Sequence, residues 1–310
     1  MPKGLMLAAA GAASVFFLAA GCGRAVSPGD ARPLAGKSGA AALAAHPEAT
    51  KLRPTYPNVV YGIAGKEKLL LDAFIPPGEG PFPAVILVHG GGWVSGNKTN
   101  YVTPMIGPLD KAGIASFSIN YRLAPKYRYP ACVDDLETSI RWVRANAAVY
   151  RVDPERIALL GESAGGHLVE WAAVRASGDT RVAAVVAFYA PCDLLAETRT
   201  RGVLGVTMIG LFGINTFNAA AEKILHDASP LNYAHSGMPP FLLLHGTADS
   251  TVLYEQSLNW QARLRELNVP CSLIPIQGGI HGMDRWLAID PAFPAKVVSW
   301  LKLRLAPPPS

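Results

Sequence analysis

A serine hydroxyl is a poor nucleophile unless a neighbouring base takes its proton. One serine of this chain stands in a frame suited to that chemistry. Ser163 lies in Gly161-Glu162-Ser163-Ala164-Gly165-Gly166. The small residues around it allow a sharp turn from strand to helix, which presents the hydroxyl at the head of the helix. The apolar run Ile157–Leu160 before the motif reads as a strand, and the residues after it read as a helix. A second segment, His89-Gly90-Gly91-Gly92-Trp93, follows the apolar run Ala84–Val88. Consecutive glycines turn tightly and leave backbone N–H groups open. Donors of that kind, aimed at a developing oxyanion, are worth about 2.7–4 kcal/mol each. No Gly-Lys-Ser/Thr follows, which argues against a nucleotide-phosphate loop.

The serine needs a base and the base needs an acid. His281, in Gly278-Gly279-Ile280-His281-Gly282, follows the last apolar run and is the expected base. Asp249, in His245-Gly246-Thr247-Ala248-Asp249, follows the preceding run and is the expected acid. Asp284 is a rival acid, but its position after the last strand suits the role less. His89, His167 and His245 are read as packing or bracing residues, and Glu162 as a structural neighbour able to tune the site. Asp134 and Asp135 open a helix, where carboxylates favour the positive end of the dipole, and are candidate partners of Arg122. Trp93, Phe212, Phe217 and Trp286 are read either as the lining of an apolar pocket or as ordinary packing.

These residues must be carried by elements. Asn58–Ala64 and Leu69–Ile75 read as opening strands, and Pro76-Pro77-Gly78 as a turn. Continuous apolar runs at Ala84–Val88, Ile114–Asn120, Ile157–Leu160, Val182–Phe188, Phe241–Leu244 and Ser272–Ile276 suit strands buried on both faces. Cys132–Ala147 carries Val133, Leu136, Ile140 and Val143 near a 3.6-residue period, which predicts a helix. Ala295–Leu305 predicts another. Such alternation implies an α/β fold, a mainly parallel sheet with helices on both faces. Asp193–Pro239 interrupts the rhythm and reads as a small lid-like excursion.

The chain has 310 residues, 50% of them hydrophobic, which excludes a disordered polymer and supplies a sizeable core. Its net charge of +5 hints at nucleic acid or an anionic surface. Most of that excess sits at the front, where Lys3, Arg24, Arg32, Lys37, Lys51 and Arg53 face only Asp30 and Glu48. The nearly neutral remainder argues against nucleic acid as a partner. Lys3 precedes an uncharged apolar stretch, Gly4–Gly21, so residues 1–21 read as an export signal. The end, Leu18-Ala19-Ala20-Gly21-Cys22, resembles a bacterial lipoprotein signal, although Ala19 stands where Leu is usual. That resemblance implies lipidation of Cys22 and attachment to a bacterial membrane at the cell envelope. The alternative is a periplasmic or secreted soluble protein. Residues 22–55 read as a tether, 56–305 as one catalytic domain and 306–310 as a Pro-rich tail. Cys132, Cys192 and Cys271 read as buried hydrophobes, with one bridge possible. No Cys or His spacing suggests a metal site, and no cofactor is implied.

Taken together, the motifs resemble the α/β-hydrolase superfamily. Within it they are similar to the HGGG-type carboxylesterases, near the hormone-sensitive-lipase-like and bacterial feruloyl-esterase-like branches. The likeness runs from about Val59 to Leu305. It also rests on Asn120-Tyr121-Arg122-Leu123-Ala124-Pro125, Asp153-Pro154-Glu155-Arg156-Ile157 and Ser229-Pro230. The resemblance implies an α/β-hydrolase fold and a Ser163–Asp249–His281 triad. It further implies oxyanion donors at the N–H groups of Gly91, Gly92 and Ala164, and a small-molecule ester substrate. Two other readings stand beside it. An amide hydrolase, such as an arylformamidase or a peptidase, would share the triad. A non-catalytic binding protein would ordinarily have lost part of it.

Overall fold

The computed structural model describes residues 52–307. The expected export signal, most of the tether and Cys22 lie outside the described residues. The elements follow in chain order: β1 (Tyr56–Ala64), β2 (Glu67–Phe74), β3 (Phe82–Val88), α1 (Thr103–Lys111), β4 (Ala115–Ile119), α2 (Ala131–Ala145), β5 (Val152–Glu162), α3 (Ala164–Val174), β6 (Ala184–Phe188), α4 (Leu194–Arg201), α5 (Val206–Phe212), α6 (Ala219–Asp227), β7 (Phe241–Gly246), α7 (Glu255–Glu266), β8 (Cys271–Ile276) and α8 (Phe293–Arg304). Eight strands form one sheet in the order β1-β2-β4-β3-β5-β6-β7-β8. β1 and β2 are antiparallel to each other, and β2 to β4, whereas every pairing from β4 to β8 is parallel. This is the expected mainly parallel α/β sheet.

Side chains alternate across a strand, so a continuous apolar run buries both faces. Ile86, Val88, Leu159 and Leu243 join the core under α2, α3 and α7, with Leu136, Ile140, Leu168 and Trp260. Their neighbours Val85, Leu87, Ala158, Leu160, Leu242 and Leu244 join a second core under α1 and α8, with Met105, Leu109, Val297 and Leu301. Two helices differ from the sequence reading. α1 was hidden by Pro108 in its interior and Gly107 beside it. α7 was hidden because its buried stripe includes Gln256 and Ser257 beside Trp260 and Leu264. β5 starts five residues earlier than its apolar run, because Val152 pairs with Phe82 ahead of polar Asp153–Arg156. The excursion holds α4, α5 and α6. Cys132, Cys192 and Cys271 are free thiols.

Candidate active site

The parallel strands point their C-terminal ends to one edge, where their loops can converge. Ser163 follows β5 directly and has φ +53°, a left-handed value that non-glycine residues seldom adopt. Two backbone bonds hold the turn, Ser163 N–H to Phe188 O at 2.9 Å and His167 N–H to Ser163 O at 3.0 Å. The helix behind it needs glycine at 165, since a Cβ there would lie 2.2 Å from Val88 O. The hydroxyl therefore sits between the end of β5 and the N-terminus of α3.

The three expected side chains meet. Ser163 Oγ lies 3.0 Å from His281 Nε2, and His281 Nδ1 lies 2.7 Å from Asp249 Oδ2. Asp249 is buried and takes two further N–H bonds at Oδ1, from Thr251 at 2.8 Å and Val252 at 3.0 Å. Burial alone would raise its pKa. Hydrogen bonds from His245 and His281 outweigh burial and hold the carboxyl well below the usual carboxylate range. An ionised carboxylate only accepts, so His281 Nδ1 carries the proton and Nε2 is left to receive one from Ser163. The acid and base loops are joined by backbone: Thr247 N–H bonds Ile276 O at 3.0 Å and Ala248 N–H bonds Gly279 O at 3.0 Å. Asp284, three residues past His281, is not the partner of His281 Nδ1, which is taken by Asp249.

The glycine loop follows β3. Gly91 at φ +99° and Gly92 at φ +60° turn it tightly. Among the described residues, neither of their N–H groups has an intramolecular acceptor, and both glycines are partly exposed. The Ala164 N–H opens α3, whose first turn has no internal acceptors and carries the positive end of the dipole. The Asn120–Pro125 motif braces this loop. Tyr121 Oη–H bonds His89 O at 3.0 Å and Gly90 O at 3.3 Å, and Ala124 N–H bonds Trp93 O at 2.9 Å. Arg122 next to it is held by a bidentate pair with Asp135, closest at 2.7 Å.

The remaining histidines are buried braces. His89 stacks on Tyr121 at 4.3 Å and its Nδ1 meets Gly90 O at 2.7 Å, while burial lowers its pKa to about 4. His167 Nε2 meets Ala228 O at 2.9 Å and its pKa is likewise lowered by burial to about 4. His245 bonds Ser257 Oγ at 2.7 Å and Val252 O at 3.0 Å beneath the acid loop. Asp134 pairs with Arg175, not with Arg122. Trp286 is fully buried and its Nε1–H holds Ile280 O at 2.7 Å, so it braces the base loop rather than lining a pocket. Trp93 is buried edge-on to His167, Phe212 packs on Tyr129, and Phe217 is exposed. Two residues near the site escaped the sequence reading. Tyr189, hidden at the end of the apolar run of β6, lies against the His281 ring at 4.5 Å. Thr207 of α5 lies against Gly92, where a Cβ would come within 2.5 Å of its methyl carbon. Among the described residues no cluster of three or more His, Cys, Asp or Glu could hold a metal ion. No helix among them is long and apolar enough to cross a membrane.

Comparison with known proteins gives a consistent result. A family model described as BD-FAE matches residues 71–264. Esterase LipQ of Mycobacterium tuberculosis is 31% identical over 256 residues, covering 78% of this chain and 60% of its own length. Esterase LipC of the same organism is 31% identical over 66% of this chain and 54% of its own length. The chain thus spans little more than half the length of these relatives. Among solved structures, a truncated carbohydrate esterase from gut microbiota superposes with a TM-score of 0.68 at 26% identity, covering 81% of this chain and 96% of that one. The fold is that of the α/β-hydrolases.

Proposed function

Given that the chain belongs to the BD-FAE family, we propose that it hydrolyses carboxylic esters through an acyl-enzyme formed on Ser163. The observation that carries this reading is the unbroken relay from Ser163 Oγ to His281 to Asp249, at 3.0 and 2.7 Å, beside free amides at Gly91 and Gly92. Ser163 Oγ attacks the ester carbonyl carbon while its proton passes to His281 Nε2. The carbonyl electron pair moves to oxygen, where the Gly91, Gly92 and Ala164 N–H groups receive the charge. The C–O bond to the alcohol breaks, and His281 gives its proton to the departing alkoxide. Water, losing a proton to His281, then attacks the acyl carbon; the bond to Ser163 Oγ breaks, His281 returns its proton to that oxygen, and the acid is freed. Asp249 holds the imidazole tautomer and stabilises the imidazolium throughout.

The substrate class we propose is a small-molecule ester, with an acylated carbohydrate among the first to try. The solved carbohydrate esterase similar to this chain supports that choice. A fluorophosphonate should label the wild type and fail to label Ser163→Ala. Matched p-nitrophenyl esters and anilides then separate an esterase from an amide hydrolase. Label persisting in Ser163→Ala, or faster turnover of the anilides, would sink this reading.

We also propose export to the cell envelope and lipid attachment at Cys22, with residues 22–55 as the tether and 56–305 as the catalytic domain. The sequence pattern at Leu18–Cys22 supports it. Cys22→Ser should move the protein from the membrane fraction to the soluble fraction; unchanged fractionation refutes the anchor.

A further inference from the structure

One buried contact joins the loops around Ser163, and the reaction as written does not use it. Glu162 is the last residue of β5, next to Ser163, and is 3% exposed. Its Oε1 accepts the N–H of Gly90, the first glycine of the loop after β3. Tyr189 follows β6, is fully buried, and is held at φ +37°, a value that bulky residues avoid. Its ring lies 4.5 Å from the His281 ring, tilted by 59°. Its hydroxyl oxygen accepts the Met283 N–H at 3.1 Å, two residues beyond His281. Burial raises the pKa of the Glu162 carboxyl, and that same hydroxyl and the Gly90 amide, which face it, pull the other way.

An ionisable group in such a place needs a reason. A buried carboxyl without a full counter-charge is destabilising, and an apolar residue of similar volume would ordinarily serve a sheet core better. Here the carboxyl meets the glycine loop at Gly90 and reaches the His281 loop through the Tyr189 hydroxyl, and those two loops must keep a fixed separation. The glycine loop would receive negative charge on the substrate oxygen, and His281 would carry positive charge at the same moment. A shift of about 1 Å between such groups lowers turnover roughly 100-fold.

Resting on the reading that Ser163 is acylated, we propose that Glu162 and Tyr189 are positioning residues that fix the glycine loop and the His281 loop relative to each other. Glu162 holds one loop through Gly90. Tyr189 holds the other through Met283 and through the face of the His281 ring. The reaction as written makes or breaks no bond at either residue.

The test compares Glu162→Ala, Glu162→Gln and Tyr189→Phe in the full chain. Thermal midpoint, kcat and KM are measured with p-nitrophenyl butyrate, and backbone amide exchange is read at Gly90 and Met283. In Glu162→Ala, kcat should fall about 100-fold while KM stays within about threefold. Glu162→Gln keeps an oxygen that can accept from Gly90 and should recover most of the loss. Tyr189→Phe keeps the ring, loses the hydroxyl and should lower kcat about tenfold. Exchange at the Gly90 and Met283 amides should quicken in both variants, at Met283 in Glu162→Ala and at Gly90 in Tyr189→Phe, each across the contact the substitution does not remove directly. Folded variants with wild-type kcat overturn the proposal. So do folded variants whose exchange at Gly90 and Met283 is unchanged. Exchange needs no substrate, so it decides the proposal even for a wild type that turns over no ester, an outcome that sinks the hydrolase reading alone.

Discussion

The loops that carry Ser163, Asp249 and His281 and the excursion Leu194–Asp227 reach the same edge of the sheet by different means. The first are extensions of buried strands, sewn together by backbone bonds. Gly246 packs so closely on Gly279 that a Cβ would lie 2.2 Å from its oxygen, and Gly278 N–H bonds Thr247 Oγ1 at 2.9 Å. The excursion is three short helices. It meets the glycine loop through Thr207 against Gly92 and Val94 against Gly210. It leaves Val203 61% and Val206 81% exposed. The Ser163–His281–Asp249 geometry is thus built into the sheet, whereas the excursion is a less anchored segment laid against the glycine loop. Changes in the first region should abolish turnover; changes in the second should re-rank substrates.

The largest effects belong to the first region. Ser163→Ala should lower kcat by about 10⁴-fold or more. Asp249→Asn keeps the shape but favours the wrong imidazole tautomer, and should lower kcat by about 10⁴-fold. Both are read by steady-state kinetics with an active-site titration. Retained turnover in either would break the comparison at its root.

Gly92→Ala comes next, because it couples the two regions. The new methyl would lie 2.5 Å from the Thr207 methyl carbon, on a backbone at φ +60°. Either the loop or α5 must move, and kcat should fall about 100-fold. Adding Thr207→Ala removes the steric partner but not the backbone strain, so it should restore only part of the loss. Full restoration would mean that α5, not the sheet, sets the glycine loop.

A smaller effect separates pH from chemistry. Burial raises the Glu162 pKa to about 7, although His281, Tyr189 and the Gly90 amide each pull it down. Asp284 and Tyr121 are the other titratable groups that sense it. The folded state therefore binds this proton more tightly than the unfolded chain, whose Glu titrates near ~4.3. Stability contributed by the proton is fully present below that pH and is lost as pH rises through about 7. Glu162→Gln should flatten this slope, by on the order of 3 kcal/mol across the window. Urea unfolding at several pH values reads it. Asp249 has the opposite sign. Its depressed pKa stabilises the fold above the unfolded value of ~3.9 and is lost only at lower pH.

The sheet was nearly all legible because its strands are apolar runs, and their bounds fall within two residues of the reading except at the start of β5. The triad was legible for the same reason, since each member follows such a run. What was hidden lacked a local signature. α1 carries Pro108, and α7 turns Gln256 and Ser257 inward. The Glu162–Gly90 contact joins residues 72 apart in sequence. Tyr189 merely extends the apolar run of β6, so nothing in its neighbourhood sets it apart until β8 brings His281 alongside.

The smallest expected effect lies in the excursion, at Val206. Val206 begins α5 and is 81% exposed, so the fold gains little from it. Val206→Ser should change stability by less than about 0.5 kcal/mol. Its neighbour Thr207 touches Gly92, so an acyl or alcohol group leaving the oxyanion site on that side would pass over Val206. One lost isopropyl contact shifts discrimination by about tenfold when the substrate buries it fully, and less at a rim. The ratio of kcat/KM for hexanoate over acetate esters should therefore fall about threefold, with kcat for acetate unchanged. A fall in both substrates alike would place Val206 with the sheet-built machinery and erase the distinction between the two regions. An unchanged ratio would place the substrate's path away from Val206.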